Sequence, residues 1–531
     1  MTGAVRTARR RDAALAGLVA VGAGVGVGEL VAAFVAPTGG PITAVGGLAV
    51  DLAPAWAKDA AIALFGTADK LALIVGIVLV LALLAAAAGV LEAIRPPVGT
   101  ILVVAAGAAG VVATATRAQF SPLDLVPPLV TTVVAVLLLR RLVRLASRAA
   151  PLGRPDAGTT PAEPRPDAGP SAAEPATGPD RRRFLAWAVG SAALGVLAGL
   201  GGWTLRAGAR VASAARDAIR LPAPATPAPA IGAGSAFELD GLTPLLTPNT
   251  EFYRIDTALQ VPVIDPADWR LRVHGLVDRE VTIDWAELLA LPLEEHTVTL
   301  ACVSNEVGGS LIGNATWLGY PIAALLERAG VASDADMVLS RSIDGFTAGT
   351  PLEVLRDGRA ALIAIGMNGE PLPAEHGFPV RLVVPGLYGY VSATKWVTEL
   401  EVTRFDRARA YWTDRGWSER GPVKLSSRID VPRAPVSAGA VTVAGVAWYQ
   451  HVGVERVEVR VDGGAWHRAE LASAISADTW VQWRWDWDAA SGSHQLEVRA
   501  IGTDGSVQTE VQRPPAPDGA TGLDRRTVEV R

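Results

Sequence analysis

Cysteine is almost absent from this sequence. Among 531 residues there is one, Cys302, in the segment Leu-Ala-Cys-Val-Ser-Asn-Glu at 300–306. A single thiol cannot form an intramolecular disulfide, nor can it complete a zinc or iron–sulfur site, each of which needs several ligands. Three roles remain open for it. Cys302 is a buried structural residue, a nucleophile, or the only protein ligand of a metal whose other ligands come from a cofactor.

Haem ligands are missing where a membrane cytochrome would need them. The six histidines all lie at or after His274, and no methionine falls within the long apolar runs, so those runs cannot supply axial ligands. The second half of the chain also lacks a block of lysine and arginine, and the net charge is −5, which gives no reason to expect nucleic acid. If the protein exchanges electrons, its electron donor or acceptor must therefore be external, or the apolar half of the chain serves a different purpose.

Long apolar runs are abundant, and they are confined to the first 203 residues. Each is about as long as a helix needs to be to cross a hydrocarbon core of ~30 Å, although the fourth is shorter and contains two prolines. The runs are 12–36, 71–94, 98–116, 123–139 and 184–203. The charged segment 42–65 is interpreted as a surface helix or loop. We expect a four-helix membrane region over 1–147 and a fifth transmembrane helix over 184–203.

Basic residues predict the orientation of these helices. Arginines precede the first run, follow the fourth and precede the fifth, the last group being Arg181, Arg182 and Arg183. Because such residues favour the cytoplasmic side, residues after 203 are predicted to be extracytoplasmic. The stretch from Asp180 to Leu185 also resembles a twin-arginine (Tat) export signal, with the positive-inside bias as the alternative explanation.

Two segments rich in proline and alanine separate the apolar runs from the rest of the chain. Residues 148–183 have almost no large apolar side chains and are predicted to be a disordered linker. Residues 204–236 are predicted to be a spacer, in which the semi-extended run 221–230 lifts the soluble part off the membrane.

Residues 237–410 mix short strands and helices. The pattern predicts strands at 271–275 and 381–386, and helices at 284–291 and 317–329. Asp284 is placed to cap the first helix and Gly330 to end the second. Such a mixture without regular βαβ repetition is typical of an α+β fold.

Residues 411–531 alternate with a period of two. Valines at 457, 459 and 461 and tryptophans at 483, 485 and 487 alternate with polar residues, and Asp462-Gly463-Gly464 offers a turn. Several short alternating strands predict a small immunoglobulin-like β-sandwich, with its tryptophans in the packing.

Several motifs occur in a fixed order in the second half of the chain. They are Thr247-Pro248-Asn249 with Phe252-Tyr253, the segment around Cys302, Trp317-Leu318-Gly319, the stretch from Met367 to Arg381 with its continuation through Pro385-Gly386 to Lys395-Trp396, and the sandwich segments 445–448 and 461–466. Together they resemble the sulfite-oxidase family of molybdenum enzymes over roughly residues 240–531. The resemblance does not extend to the apolar runs.

This resemblance implies a fold, a cofactor and a set of site residues. The fold class is multidomain: an N-terminal α-helical transmembrane region, an α+β sulfite-oxidase-type molybdopterin domain and a C-terminal immunoglobulin-like β-sandwich that would form a homodimer. The cofactor would be molybdenum–molybdopterin, with Cys302 as the metal ligand and catalytic residue. The implied cofactor-binding residues are Asn249, Tyr253, Arg254, His376, Arg381, Ser392, Thr394 and Lys395.

Elementary chemistry agrees with these implications. A molybdenum ion held by the two sulfurs of a pyranopterin dithiolene takes one more soft ligand, and a thiolate suits it. Coordination keeps that thiol deprotonated, so one cysteine is enough. Arg381 adjoins an apolar run, and a guanidinium binds phosphate through charge-assisted, bidentate hydrogen bonds.

Two positions depart from the pattern of the sulfite-oxidising members. Those members have a substrate-binding arginine five residues after the metal cysteine, where this sequence has Val307. A second such arginine would align with Ile255, while the neighbouring Arg254 is shifted by one position. Because losing cations lowers the affinity of a pocket for a dianion, sulfite is in doubt as the substrate.

The sequence thus predicts a membrane-anchored, extracytoplasmic molybdenum oxidoreductase that transfers an oxygen atom to or from a small substrate. Reduction of a neutral, sulfoxide-like compound is favoured mildly over sulfite oxidation. A different class of function is a membrane scaffold or interaction protein with an inactive oxidase-like domain. A third is a transport or quinone-interacting role for the helical half.

Overall fold

The structure is a computed structural model and describes residues 2–36, 40–54, 57, 64, 69–117, 120–149, 179–206, 216, 218–259, 261–433 and 435–531. The chain divides into two compact units, Met1–Gly208 and Ala209–Arg531. Most of the predicted linker, residues 150–178, lies outside the described residues. Its last residues, 179–183, belong to a helix.

Six helices account for most of the described part of the first unit. They are α1 Thr2–Val35, α2 Pro41–Leu52, α3 Asp69–Ile94, α4 Val98–Ala115, α5 Val126–Ala149 and α6 Pro179–Arg206. Five stretches are long and apolar enough to cross a membrane: Arg10–Val35, Lys70–Ile94, Val98–Ala115, Pro122–Arg148 and Arg181–Gly202. These stretches correspond to the five predicted runs.

The fourth run is longer than predicted. Helix α5 extends to Ala149 rather than ending near residue 139, and Pro127 and Pro128 fall in its first turn. Proline is tolerated there because the N–H groups of the first turn have no partner within the helix. The two prolines therefore start this helix instead of shortening it.

Many of the side chains between the helices of this unit are small, and many large apolar ones face outward. Ala16 and Ala20 of α1 are fully buried, whereas Leu83 of α3 and Leu197 of α6 are 72% and 68% exposed. This distribution is the reverse of that in a water-soluble bundle, and it is typical of helices that pack together in lipid.

The second unit contains an α+β domain with two sheets, as predicted. Its strands are β1 Arg270–Gly275, β2 Val281–Asp284, β3 Glu294–Ala301, β4 Ile312–Pro321, β5 Met337–Ser342, β6 Thr347–Pro351, β7 Leu362–Met367, β8 Glu370–Pro371, β9 Arg381–Val383 and β10 Val397–Thr403. One sheet has the order β2-β1-β10-β5-β6. The other has the order β3-β4-β7-β8, with β9 also paired to β7. Strands β1 and β10 are parallel, and the other pairs are antiparallel.

Three short helices complete this domain: α7 Trp285–Ala290, α8 Ile322–Ala329 and α9 Gly389–Ser392. The Asp284 carboxylate accepts a hydrogen bond from the backbone N–H of Glu287 at 2.8 Å, which confirms the predicted cap of α7. Gly330 ends α8 in the left-handed conformation, also as predicted.

The prediction of a helix over 317–329 is wrong for its first part. Trp317 to Tyr320 belong to β4, which pairs with β3 on one side and β7 on the other. Strand β4 is buried on both faces as well as paired on both edges, and such an apolar run cannot be distinguished from a buried helix by periodicity. The helix begins only after Pro321.

The predicted spacer is partly incorporated into the domain. The Ala225 N–H donates to the Leu293 carbonyl at 2.7 Å, and the Glu295 N–H donates to the Thr226 carbonyl at 2.8 Å. This extended Pro-Ala segment therefore pairs with the start of β3 instead of standing free. Since an edge strand offers unpaired backbone groups, an extended neighbour can bond to it.

The C-terminal domain is a sandwich of two four-stranded sheets, as predicted. Its strands are β11 Ser426–Val431, β12 Gly439–Trp448, β13 Val454–Val461, β14 His467–Arg468, β15 Glu470–Leu471, β16 Val481–Ala489, β17 Gly492–Gly502 and β18 Asp524–Val530. The sheet orders are β11-β12-β16-β15 and β14-β13-β17-β18. Val457, Val459 and Trp483 are completely buried between the sheets, so these side chains form its core.

The sandwich packs against strand β3 of the α+β domain. The Trp480 N–H donates to the Thr299 hydroxyl at 2.8 Å, and the Gln450 carboxamide donates to the Thr299 carbonyl at 3.1 Å. The Trp480 indole N–H also reaches the Leu245 carbonyl at 2.8 Å. These bonds fix the strand that leads directly to Cys302.

Candidate functional site

Cys302 lies in a tight loop immediately after β3. Its backbone N–H donates to the Leu311 carbonyl at 2.9 Å, and its carbonyl accepts from Asn305 N–H at 3.1 Å. The Asn305 side chain accepts from Leu311 N–H at 2.8 Å and closes the loop. Cys302 is 8% exposed. Burial raises the pKa of its thiol, against smaller lowering effects of hydrogen bonds from Ser304. Alone, this thiol would hold its proton at neutral pH, whereas a metal would displace it.

Tyr253 brings the opening segment to this loop. Burial raises the pKa of its phenol well above the usual range, the charge of Cys302 raises it further, and Arg381 opposes the shift. A Cβ on Gly389 would lie 3.9 Å from the phenolic oxygen and 3.8 Å from the Ala301 carbonyl oxygen, so the phenol lies close to the residue that precedes Cys302. Its ring stacks on Phe252, with centroids 5.2 Å apart.

Arg381 is a buried cation without a carboxylate partner among the described residues. It begins β9, is 5% exposed, donates to the His376 carbonyl at 3.1 Å and lies 4.9 Å from the centre of the Trp317 ring. Within the described part of the chain, no Asp or Glu oxygen lies within 4.0 Å of it. Burial lowers its pKa to about 10. A buried charge without a partner is costly, so this guanidinium suits an anionic group from outside the chain.

His376 joins the opening segment to the signature segment. Its Nε2 lies 3.0 Å from the Asn249 carbonyl oxygen, and burial, with the charge of Arg381, lowers its pKa to about 4. The ring is therefore neutral at physiological pH, and Nε2–H must be the donor because a carbonyl can only accept. The following Gly377 has φ +113°, and a Cβ there would lie 2.9 Å from the Cβ of Arg381 and 3.2 Å from that of Lys395. Glycine thus lets the chain pass between the two cations.

Lys395 and Arg254 share one buried carboxylate. The Asp256 carboxylate, 3% exposed, lies 2.7 Å from the Lys395 ammonium and 3.0 Å from the Arg254 guanidinium. Burial lowers the pKa of Lys395 to about 8, and the attraction of Asp256 opposes that shift. Arg254 is 41% exposed, so it forms the outer end of this cluster.

The shifted pKa of Lys395 predicts a pH dependence of stability. In cofactor-free protein the folded chain releases this proton near pH 8, whereas the unfolded chain holds it to about 10.5. Because the unfolded state binds more protons between these values, the free energy of unfolding should rise with pH over that interval. Urea unfolding at about pH 7.5 and about pH 10 should show this rise in wild type and a smaller one in Lys395→Met. Equal slopes in the two proteins would contradict it.

Three of the predicted cofactor-binding side chains already have protein partners. The Asn249 carboxamide donates to the Met367 carbonyl and accepts from Asn368. The Ser392 hydroxyl donates to the Tyr388 carbonyl at 3.0 Å, and the Thr394 hydroxyl lies 2.7 Å from that of Ser340. These groups hold the loops around the site, and their contacts with a cofactor stay predictions.

In the structure His376, Arg381 and Lys395 lie around Gly377, and Tyr253 lies close to the residue that precedes Cys302. Two residues close to these side chains, Asp256 and Tyr388, were not predicted. Asp256 has no sequence signal that separates it from a surface aspartate, because only the fold reveals its burial. Tyr388 follows the Pro-Gly turn of the signature, and that turn was the one available hint.

Family models match both domains of the second unit. The oxidoreductase molybdopterin binding domain matches residues 258–412, and a bacterial Ig domain matches residues 431–498. Fold and site thus define an oxidoreductase-type molybdopterin-binding domain joined to an immunoglobulin-like domain.

Known proteins resemble the same region. Over 304 residues the chain is 32% identical to mitochondrial sulfite oxidase of Mus musculus. The aligned residues make up 48% of this chain and 55% of that protein. Over 157 residues it is 34% identical to the uncharacterized oxidoreductase YuiH of Bacillus subtilis (strain 168). The aligned residues make up 30% of this chain and 76% of that protein. The sulfane dehydrogenase SoxCD of Paracoccus pantotrophus is similar at 23% identity with a TM-score of 0.49, over 54% of this chain and 82% of that one.

The chain belongs to the sulfite oxidase family of molybdopterin-dependent oxidoreductases. The cofactor implied by this membership is the molybdenum–molybdopterin group. The match spans about half the length of the mouse sulfite oxidase.

Proposed function

We propose that this protein is a membrane-anchored, extracytoplasmic molybdenum oxidoreductase that transfers an oxygen atom to or from a small, neutral substrate at a metal ligated by Cys302. One observation carries the proposal. The lone buried thiol of Cys302 follows β3, and the buried Arg381, which has no carboxylate partner in the described part of the chain, begins β9 of the same sheet. This combination suits a metal bound to an anionic organic cofactor.

The side chains fit such a cofactor. Cys302 would supply the soft protein ligand, and Arg381 would bind the cofactor phosphate, with Lys395 as a second cation and neutral His376 as a fixed donor to the Asn249 carbonyl. When bound, the metal supplies two-electron oxygen-atom transfer. Tyr253 would hold its phenolic proton throughout, since burial keeps the pKa of the phenol high.

The substrate should be neutral because the expected cations are missing. Val307 is partly buried and Ile255 is 46% exposed, and neither can neutralise a dianion. Arg254, next to Ile255, is bound to Asp256 at 3.0 Å. A neutral S-oxide or N-oxide avoids the need for a cationic pocket. Sulfite oxidation is the alternative.

The first unit would anchor the enzyme in the membrane. Five stretches have suitable length and composition, and large apolar side chains face outward from them. The arginine clusters support an extracytoplasmic second unit, and the twin-arginine-like stretch supports export in the folded state. The electron partner would be an external carrier, and a homodimer through the sandwich is also proposed.

Metal analysis combined with an activity screen tests this function. Full-length protein from a cofactor-competent host should contain about one molybdenum per chain. It should also oxidise a reduced dye with S-oxides or N-oxides as acceptors faster than it reduces an oxidised dye with sulfite. Absence of molybdenum would refute the enzyme proposal and favour a scaffold with an inactive domain.

A Val307→Arg variant tests the substrate assignment separately. Restoring a cation beside Cys302 should raise kcat/KM for sulfite by roughly tenfold, because one charge at a partly buried site contributes about 1–2 kcal/mol. The control is Glu306→Gln, which changes the net charge by the same amount at an exposed position. Val303→Arg is not suitable as a control because Val303 is buried. A faster sulfite reaction in wild type than with any oxide would overturn the neutral-substrate assignment.

A further inference from the structure

The loop that follows Cys302 contains two adjacent glycines. It runs to Leu311 at the start of β4, and the Cys302 N–H donates to the Leu311 carbonyl at 2.9 Å, which joins its two ends. Gly308, with φ +75°, and Gly309 lie in its second half. Because glycine is conformationally free and has no side chain to pack, contacts from outside the loop matter most at these two positions.

A buried arginine of the sandwich holds this half of the loop. The guanidinium of Arg428, on β11, donates to the Gly309 carbonyl at 2.7 Å, and the residue is 7% exposed. It also donates to the Asp430 carboxylate and to the Thr243 hydroxyl, both at 2.8 Å. One planar, charged fork therefore connects the sandwich, the segment at Thr243 and the loop after Cys302.

A second side chain of the sandwich lies against the neighbouring glycine. A Cβ on Gly308 would lie 2.5 Å from a carboxylate oxygen of Asp524, the first residue of β18. The other oxygen of that carboxylate accepts a hydrogen bond from the Ile429 N–H at 2.8 Å, so the side chain is itself fixed. The sandwich thus contacts both glycines of the loop.

We propose that Arg428 is a positioning residue of the reaction, which holds the loop between Cys302 and Leu311 and thereby fixes the Cys302 thiol. The inference rests on the proposed function, because the place of this thiol matters for catalysis only if Cys302 ligates the metal. A misplacement of about 1 Å in a site can lower a rate about 100-fold. The sandwich would therefore belong to the catalytic unit of the enzyme.

Labelling of the single cysteine with iodoacetamide tests this anchoring, because every adduct reports on Cys302. The sample is the full-length chain in detergent, made without the cofactor. Arg428→Lys keeps a charge beside Asp430, but a single ammonium cannot span the three acceptors of the guanidinium. This variant should be labelled about tenfold faster than wild type, since loss of a hydrogen bond from a charged donor shifts an opening equilibrium by roughly that factor. The matched control is Arg460→Lys, whose arginine is paired with Glu497 of the sandwich at 2.6 Å, and it should match wild type.

Urea separates opening of the loop from unfolding of the whole domain. Labelling through a local opening should change little at low urea concentrations, whereas labelling through global unfolding should rise with the slope of the unfolding transition. Equal labelling rates of Arg428→Lys and Arg460→Lys would overturn the proposal. A rate for Arg428→Lys that follows global unfolding would overturn it as well.

Turnover of the molybdenum-loaded, full-length protein gives a second readout. Arg428→Lys should keep its molybdenum and lower kcat about tenfold while KM changes less than about twofold, because Arg428 acts through the loop of Cys302 and not on the substrate. Faster labelling with an unchanged kcat would contradict the positioning role. Absence of molybdenum in wild type would instead refute the proposed function, and the labelling rates would still decide whether Arg428 anchors the loop.

Discussion

Cys302→Ser should lower oxidoreductase activity by more than about 100-fold, since loss of a second-shell partner of a metal alone costs about 10–100-fold. Serine keeps the size of the side chain but replaces a soft thiolate with a hard oxygen, which suits this metal poorly. The residues proposed to hold the cofactor phosphate are unchanged, so the variant should retain most of its molybdenum. Dye-linked assays and elemental analysis of the same samples measure both quantities.

A purely structural cysteine would behave differently. Cys302 is buried, so a buried hydroxyl would cost on the order of 1–3 kcal/mol of stability, and activity per folded molecule would be retained. Dividing the rate by the amount of folded protein, which thermal unfolding measures, distinguishes a metal-ligating cysteine from a structural one. Full activity per folded molecule in Cys302→Ser would contradict ligation by this residue.

Arg381→Met should lower the molybdenum content at least about tenfold, because a charge-assisted hydrogen bond contributes about 1.5–3 kcal/mol. The same substitution should stabilise the cofactor-free protein. Arg381 is buried without a carboxylate partner among the described residues, and methionine removes the cost of burying that charge. Opposite effects on cofactor content and on stability are expected only if the arginine is kept for an external anion.

Arg428 provides the matched control for stability. Its side chain is 9% exposed, close to the burial of Arg381, but it lies 2.8 Å from the Asp430 carboxylate. Arg428→Met removes the ion-pair partner of that carboxylate, which keeps only the hydrogen bond from the Thr243 N–H among the described residues, and should destabilise the protein by about 3–5 kcal/mol. Denaturant unfolding of both cofactor-free variants makes the comparison. Equal destabilisation by Arg381→Met would show that Arg381 is a structural residue.

Local signals explain why much of the fold was predictable. Asp284 begins α7 and Gly330 ends α8 because a capping carboxylate and a left-handed glycine act within one turn. The sandwich strands followed from alternation, since Val457 and Val459 must face one side. The helix predicted from Trp317 failed because burial on both sides removes the period that separates strand from helix.

The candidate site was predictable only as far as its motifs extend. Cys302, His376 and Arg381 were found from the family resemblance, and the structure brings His376 and Arg381 together. Asp256 was not, because it acts through a partner distant in sequence, Lys395. Such a pair depends on how distant segments of the chain meet, which the period of a single segment cannot show.

Molybdenum X-ray absorption of the purified protein tests the central claim most directly. Two sulfur neighbours are expected from the dithiolene of the cofactor and a third from Cys302, so wild type should show three and Cys302→Ser two. A wild-type spectrum with two sulfur neighbours, unchanged by the substitution, would contradict the proposal that this single cysteine ligates the metal.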